Sequence, residues 1–218
     1  DPASCLVSAW QFDEASGTTA ADSSGNADTL GFTCAAAACT STPTFTGGLT
    51  GLGNAASFSG VSGVAVAASA APFAFTDSLS VEAWVKPQTA AQVNGAGVVA
   101  RGDKGSEDFA LDASGGVFRF IATASKIASV STSTFVPGQW IHLAGVYDSA
   151  VGTATLYLDG RAAATVSGVG ARANSGQAVV IGNRRDASGS LTPPFSGVID
   201  AVRFFHLARS AAEVAADY

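Results

Sequence analysis

The chain has 218 residues, 47% of them hydrophobic, with 11 Lys and Arg against 17 Asp and Glu for a formal net charge of -6. That is enough apolar material for one large core, yet no run approaches the roughly 20 apolar residues of a membrane helix, so membrane insertion is not expected. Lys is confined to Lys86, Lys104 and Lys126; with Arg184-Arg185 as the one basic pair, the clustered cations of a phosphate-tracking surface are missing and nucleic acid is not expected as a partner.

Residues 1–4 read Asp-Pro-Ala-Ser, with no basic segment leading into an apolar one, as in a mature or trimmed chain. Residues 6–12 alternate Leu6, Ser8, Trp10 and Phe12 with Val7, Ala9 and Gln11, the period of a first strand. The turn that follows, Asp22-Ser23-Ser24-Gly25-Asn26, is dense in side chains that bond their own backbone and in the hard oxygen donors that calcium prefers. Residues 27–53 show little periodicity and contain Cys34 and Cys39. A Cys34–Cys39 disulfide closing a tight loop is the expected pairing, with Cys5 bonded to one of the two as the alternative. Cysteine used in this way, without C-x-x-C, suits a secreted, cell-surface or periplasmic setting.

Strand signals then recur roughly every ten residues, as in a sandwich or barrel: 55–58, 63–67, 79–86, 97–101, 108–112, 117–123, 128–131, 140–148, 153–158, 161–166, 178–182 and 195–205. Turn formers separate them, and Asp159-Gly160 is the strongest hairpin signal. Within 195–205 both parities are apolar, as in a strand covered on both faces; Asp200 and Arg203 fall on opposite parities, which predicts a buried charge needing partners. Ser210-Ala211-Ala212-Glu213 fits a capping box, predicting a short C-terminal helix that closes a sandwich edge. With no repeat and no composition break, residues 1–218 read as a single all-β domain.

The ordered stretches Trp10-Gln11-Phe12-Asp13-Glu14, Asp22-Ser23-Ser24-Gly25-Asn26, Ser80-Val81-Glu82-Ala83-Trp84-Val85-Lys86-Pro87, Trp140 through Asp148, Leu156-Tyr157-Leu158-Asp159-Gly160 and Gly197-Val198-Ile199-Asp200-Ala201-Val202-Arg203 resemble the laminin-G-like, concanavalin A-like jelly-roll domains of secreted bacterial proteins. The resemblance spans about Leu6 to Val214. It implies a two-sheet antiparallel jelly-roll sandwich with a short C-terminal helix. It also implies a structural calcium joining the loop after the first strand to the C-terminal strand, with Asp22, Gly25, Asn26 and Asp200 as its ligands. A long cysteine-bearing insertion follows that loop and departs from the family pattern.

Catalysis is not expected. Glycoside hydrolysis needs two carboxylates across the sugar bond, and of the four Glu residues, Glu82 has no acidic residue two or four positions away, Glu14 and Glu107 fall in loops, and Glu213 belongs to the capping box. His142 sits within a strand and reads as a packed residue. Trp10, Trp84 and Trp140 lie in apolar strands and read as core. Polar turn residues on a rigid sandwich are the better ligand candidates: Arg101, Asp103 and Lys104 in one loop, and Asn183, Arg184, Arg185 and Asp186 in another. Mixed Arg, Asn and Asp grip hydroxyls or carboxylates. The expectation is a non-catalytic extracellular module that binds a glycan or a cell-surface protein ligand, with an adhesin-type structural or protein-interaction domain as the alternative and a polysaccharide-degrading enzyme of the same superfamily as the third reading.

Overall fold

The computed structural model describes residues 5–34, 41–61, 63–123, 125–129 and 135–218. Its strands are β1 (Leu6–Trp10), β2 (Thr19–Ala20), β3 (Leu30–Cys34), β4 (Thr44–Gly47), β5 (Asn54–Ser59), β6 (Gly63–Ala67), β7 (Leu79–Pro87) and β8 (Gln92–Asp103) in the first half. The second half adds β9 (Ser106–Gly115), β10 (Val117–Thr123), β11 (Lys126–Ser129), β12 (Ile141–Asp148), β13 (Thr153–Leu158), β14 (Arg161–Ser167), β15 (Val180–Ile181) and β16 (Ser196–Phe205), followed by helix α1 (Ala211–Asp217). One sheet runs β14-β13-β12-β7-β16-β5-β4, with β1 also paired to β16; the other runs β11-β10-β9-β8-β15-β6-β3-β2. This is the two-layer antiparallel architecture expected of recurrent short strands.

The predicted strands 63–67 and 153–158 match β6 and β13 to the residue. Predicted strands 97–101 and 108–112 are the middle parts of a longer hairpin, β8 with β9, paired from Gln92↔Gly115 to Asp103↔Ser106 through several bulges. The predicted strand 128–131 is β11, shifted to Lys126–Ser129; residues 130 and 131 lie outside the described residues. At the β13–β14 hairpin, Asp159 and Gly160 both take positive φ, 48° and 71°, the type I′ geometry that suits the strand twist. The Asp159 side chain also accepts a hydrogen bond from the His142 N–H at 2.9 Å.

The sheets meet through the inward faces of their strands. Val81, Ala83, Val85, Leu143, Ile199 and Phe204 from the first sheet pack with Val98, Phe109, Leu111, Phe118 and Phe120 from the second. Phe204 gathers the rings of Phe73, Phe109 and Trp10 at 5.2, 5.1 and 6.1 Å, in the tilted and edge-on arrangements that aromatic quadrupoles favour. Gly145 is a spacing residue: a Cβ there would collide with the Phe120 ring, so the missing side chain lets that ring lie against β12.

Strand β16 is covered on both faces, and it shares one edge between two partners. Ser196–Ile199 pair with β5, Val202–Phe205 with β1, and β7 occupies the other edge. Between the two partners lies a bulge, with Ala201 at φ 46°. The extra residue overrides simple alternation. Asp200 pairs with Trp84 and Arg203 with Glu82, two residues apart on β7, so both charges share the outer face of the first sheet instead of opposite faces.

The predicted capping box is present. The Ser210 hydroxyl accepts from the Glu213 N–H at 3.3 Å, and the Ser210 N–H donates to Glu213 Oε2 at 2.7 Å. The helix does not merely close an edge. Val214 packs on Ala144, Val146 and Tyr157, laying α1 over the outer face of the first sheet. Among the described residues no helix is long and apolar enough to cross a membrane.

Candidate functional site

The outer face of the second sheet carries a polar cleft of about 240 Å³. Its back is built by the β9–β10 hairpin, whose register sets Asp112 directly opposite Arg119. Arg119 donates through Nε and Nη2 to the two Asp112 oxygens at 2.7 and 2.8 Å. A bulge shifts the β8–β9 register so that Arg101 faces Phe109 while Gly102 faces Glu107, and this brings the Glu107 side chain into the cleft lining with Arg119. Arg184, from the loop after β15, bridges the two acids: Nη1 donates to Asp112 at 2.5 Å, and Nη2 pairs with Glu107. All three bridged groups are buried, with Arg184 and Glu107 each 3% exposed and Asp112 at 0%.

Burial pushes the Asp112 carboxyl up, with the Arg119 guanidinium pulling against it, and burial also draws Arg184 down. Around this fixed centre stand Asn94, the exposed Lys104, and Ile121 with Ile127 as the apolar wall. Gly95, at φ 84°, keeps the approach open: a Cβ there would sit 3.3 Å from Arg184 Nη1 and 3.7 Å from Asp112 Oδ2.

The two loops expected to bind ligand meet. Asp103 forms a bridge with Arg185, and the Lys104 N–H donates to the Arg185 carbonyl at 3.2 Å. Their side chains take different places. Lys104 and Arg184 line the cleft. Arg101 is 1% exposed and its donors are taken by the Gln177, Phe73 and Ala70 carbonyls, Asn174 and Asp108, so it ties two loops to the sandwich. Asp103 accepts from Gln177 Nε2 at 3.0 Å. Asn183 is buried and bonds the Arg184 N–H, Arg185 reaches the Gly189 carbonyl, and Asp186 closes a turn through Ser188 and Ser190.

The residues expected to hold a cation are not brought together by hydrogen bonding among the described residues. Asp22 caps its turn: its carboxylate accepts from the N–H groups of Ala9, Ser24 and Asp28 and from the Ser24 hydroxyl at 2.8–3.1 Å. Burial alone would raise this acid, and these hydrogen bonds outweigh it and hold it below its ordinary value. Gly25 supplies a positive φ of 94°, while the Asn26 amide donates to the Val7 carbonyl at 2.8 Å.

Asp200 makes no hydrogen bond to that turn among the described residues, although Asp22 bridges Trp10, which pairs with Val202 on β16. Asp200 Oδ1 accepts from Ala201 N–H, whereas Oδ2 is buried without a hydrogen bond. Burial, assisted by the like charge of Asp13, pushes it up to about 6. A Cβ on Gly48 would lie 2.7 Å from Asp200 Oδ2, 2.8 Å from the Asn54 carbonyl oxygen and 2.9 Å from that of Gly53. The missing side chain thus lets three oxygens close in on Gly48, where a Cβ would have no room. Asp13 stands beside it, bonded to the Asn54 N–H at 3.0 Å. Hard oxygen donors from two carboxylates and loop carbonyls are the chemistry calcium uses. Cys34 ends β3, and Cys39 lies outside the described residues.

A second charged cluster sits beneath α1. Glu82 and His142 are both fully buried. Glu82 lies 3.3 Å from Arg203, 3.5 Å from Arg209 and 3.8 Å from His142, while Asp217 on α1 holds Arg209 at 2.5 Å. Burial pushes Glu82 up to about 7 and His142 down to about 4. Of the tryptophans, Trp10 is core, but Trp84 and Trp140 are half-buried, Trp84 stacked on Tyr218 and Trp140 under the Lys86 ammonium.

Sequence reasoning passed over Asp112, Arg119 and Glu107. The first two carried a usable signal: they are equidistant from the Gly115-Gly116 turn, so folding the hairpin there makes them cross-strand partners. Glu107 had none, because its place depends on a bulge and on a loop far away in the chain.

Several solved structures share this fold. Domain 4 of AbnA, an extracellular GH43 arabinanase from Geobacillus stearothermophilus solved in complex with arabinotriose, superposes with a TM-score of 0.72 at 21% identity, covering 97% of each chain. The binding domain of Paraclostridial Mosquitocidal Protein 1 gives 0.70 at 13% identity, and the botulinum neurotoxin DC binding domain in complex with rat synaptotagmin II gives 0.69 at 10%. The present chain is covered to 99% in both toxin comparisons and spans about half the length of those domains, 52% and 51%. No curated protein sequence gives a match. The family model described as the concanavalin A-like lectin/glucanases superfamily matches residues 58–215, and the chain, a two-sheet jelly roll, belongs to that laminin-G-type family.

Proposed function

We propose that this chain is a non-catalytic extracellular binding module that holds a short carbohydrate segment in the cleft of the second sheet, with a structural calcium at the Asp13–Asp200 corner. The observation that carries the reading is the cleft itself, in which planar polar side chains are fixed by a buried Arg184–Asp112–Glu107 bridge beside an apolar Ile121–Ile127 wall. Such preorganisation limits the ordering cost of binding a hydroxyl-rich ligand. At about 240 Å³ the cleft is smaller than the ~300–1,000 Å³ of drug-sized sites, which suits one ring of a chain. The related arabinanase domain was solved with a bound arabinose oligomer. Against turnover, Asp112 and Glu107 are engaged by guanidiniums, and a general acid must keep its proton free to give.

A glycan array followed by calorimetry tests the reading: binding to a defined oligosaccharide, lost in Asn94→Ala/Lys104→Ala, supports it, and silence on every glycan sinks it. The neurotoxin domain in complex with rat synaptotagmin II favours a second reading, an adhesin-type protein contact, which predicts no glycan binding at all.

For the cation, Asp200 Oδ2, which has no hydrogen bond, is a better donor than the Asp22 oxygens, which already accept protein hydrogen bonds, with Asp13 beside it as the second carboxylate. Calcium at about 100 times its Kd should add about 2.7 kcal/mol of stability. Asp200→Asn should abolish that gain and Asp22→Asn should leave it in place; melting temperatures indifferent to chelator would end the calcium reading.

A further inference from the structure

The hydrogen-bond inventory of the cleft says more than that it is polar. Three of its four carboxylate oxygens are engaged. Asp112 accepts from Arg119 Nε, Arg119 Nη2 and Arg184 Nη1, and Glu107 accepts from Arg184 Nη2. Apart from Glu107 Oε2, which has no hydrogen bond among the described residues, the side-chain groups left over are donors. Arg119 uses only Nε and Nη2 among the described residues, which leaves Nη1. The Asn94 oxygen accepts from the Ser114 hydroxyl at 2.7 Å, which leaves its amide N–H groups. Lys104 is exposed, and its ammonium has no hydrogen bond or ion pair among the described residues. Arg184 Nε is buried and also lacks a partner.

The charge count points the same way. Among the lining residues and the Asp112 bridge, Lys104, Arg119 and Arg184 stand against Asp112 and Glu107, one positive charge more in a chain whose net charge is -6, with Asp186 attracting Lys104 from outside the lining. Neutral sugars present hydroxyls that donate as well as accept, and would find few free acceptors here. A carboxylate presents acceptors only, and charge-assisted bonds to Lys and Arg are the strong ones.

Resting on the carbohydrate reading of this same cleft, we infer that its ligand class is acidic: a uronic-acid-bearing oligosaccharide whose carboxylate meets Lys104 and Arg119 while its ring lies against Ile121 and Ile127.

The test is calorimetry with oligouronates of several backbones (galacturonate, mannuronate, guluronate and glucuronate), each beside its carboxyl-reduced counterpart, which keeps the rings and removes the charge. At least one oligouronate should bind ten-fold or more tightly than its reduced form, and its affinity should weaken several-fold between about 50 and about 500 mM salt. Lys104→Gln, at an exposed position and checked for folding by circular dichroism, should lower the affinity several-fold, and Lys104→Glu should lower it further. Reduced sugars binding as well as or better than the acids would overturn the acidic class and leave the carbohydrate reading standing. An affinity for uronates untouched by Lys104→Glu would place binding elsewhere and overturn the assignment to this cleft. No binding by acidic or reduced sugars, together with a silent glycan array, would remove the carbohydrate reading and this inference with it.

Discussion

The two sheets each carry a buried charge cluster on the outer face, and the clusters are built to different standards. On the second sheet, Asp112 and Glu107 each meet a guanidinium at hydrogen-bonding distance. On the first, the ion pairs of Glu82 lengthen to 3.3 and 3.5 Å, neither His142 ring nitrogen makes a hydrogen bond, and the arginines lean toward Asp217 on α1. Desolvation of a charge is offset only by close, well-aligned partners. The Asp112–Glu107 cluster should therefore behave as a rigid fixture. The Glu82 cluster should behave as a strained one that depends on its helical cover.

The largest effect expected from this contrast is at Arg184. Arg184→Met strands the buried Glu107 carboxylate, leaves Asp112 to Arg119 alone, and should lower stability by about 3–5 kcal/mol in denaturant unfolding; a loss under about 1 kcal/mol would show that water reaches the cluster and that it is not the fixture described. At Glu82 the sign reverses. Its folded value of about 7 lies above the ordinary 4.5, so the native state holds the extra proton between those values and this group's contribution falls as pH rises through that window. Glu82→Gln removes the dependence. The variant should gain on wild type by about 1–2 kcal/mol between about pH 5 and about pH 8, and a flat difference would mean that Arg203 and Arg209 satisfy the carboxylate after all. His142, held down to about 4, works in the opposite sense: its contribution fades as pH falls from about 6.5 toward 4, and it is common to both proteins in that comparison. The smallest change is at the cap. Ser210→Ala should cost about 0.5–1 kcal/mol and, by loosening α1, move the His142 titration seen by NMR back toward 6.5; an unmoved titration would show that the sheet alone buries the imidazole.

Much of the fold was legible because its signals are local. Turn formers at regular spacing, the Asp159-Gly160 pair and the Ser210–Glu213 box each act within a few residues of themselves, and each appears where expected. The site was legible only in halves. The loops around Lys104 and Arg184 were chosen for their residue types, and the structure joins them through Arg185; that Arg101 turns inward depends on Asp108, seven residues away across a bulged turn. Asp200 misled for a related reason. Alternation assumes a regular ladder, and the Ala201 bulge breaks it where β16 exchanges β5 for β1. The half-exposed Trp84 and Trp140 show the same limit: an apolar strand marks two covered faces but not how completely each is covered.

That exchange of partners has a mechanical side. Leu6 lies opposite Phe205, and the His206 N–H bonds the Cys5 carbonyl, so the two ends of the β1–β16 pair enter the sheet side by side. A load applied through residues 5 and 206 would open the ladder one rung at a time, as a zipper opens, instead of shearing all its rungs together. Resistance would then rise where the zipper reaches the bulge and the Asp13–Asp200 corner, and a cation bound there would act as the stop.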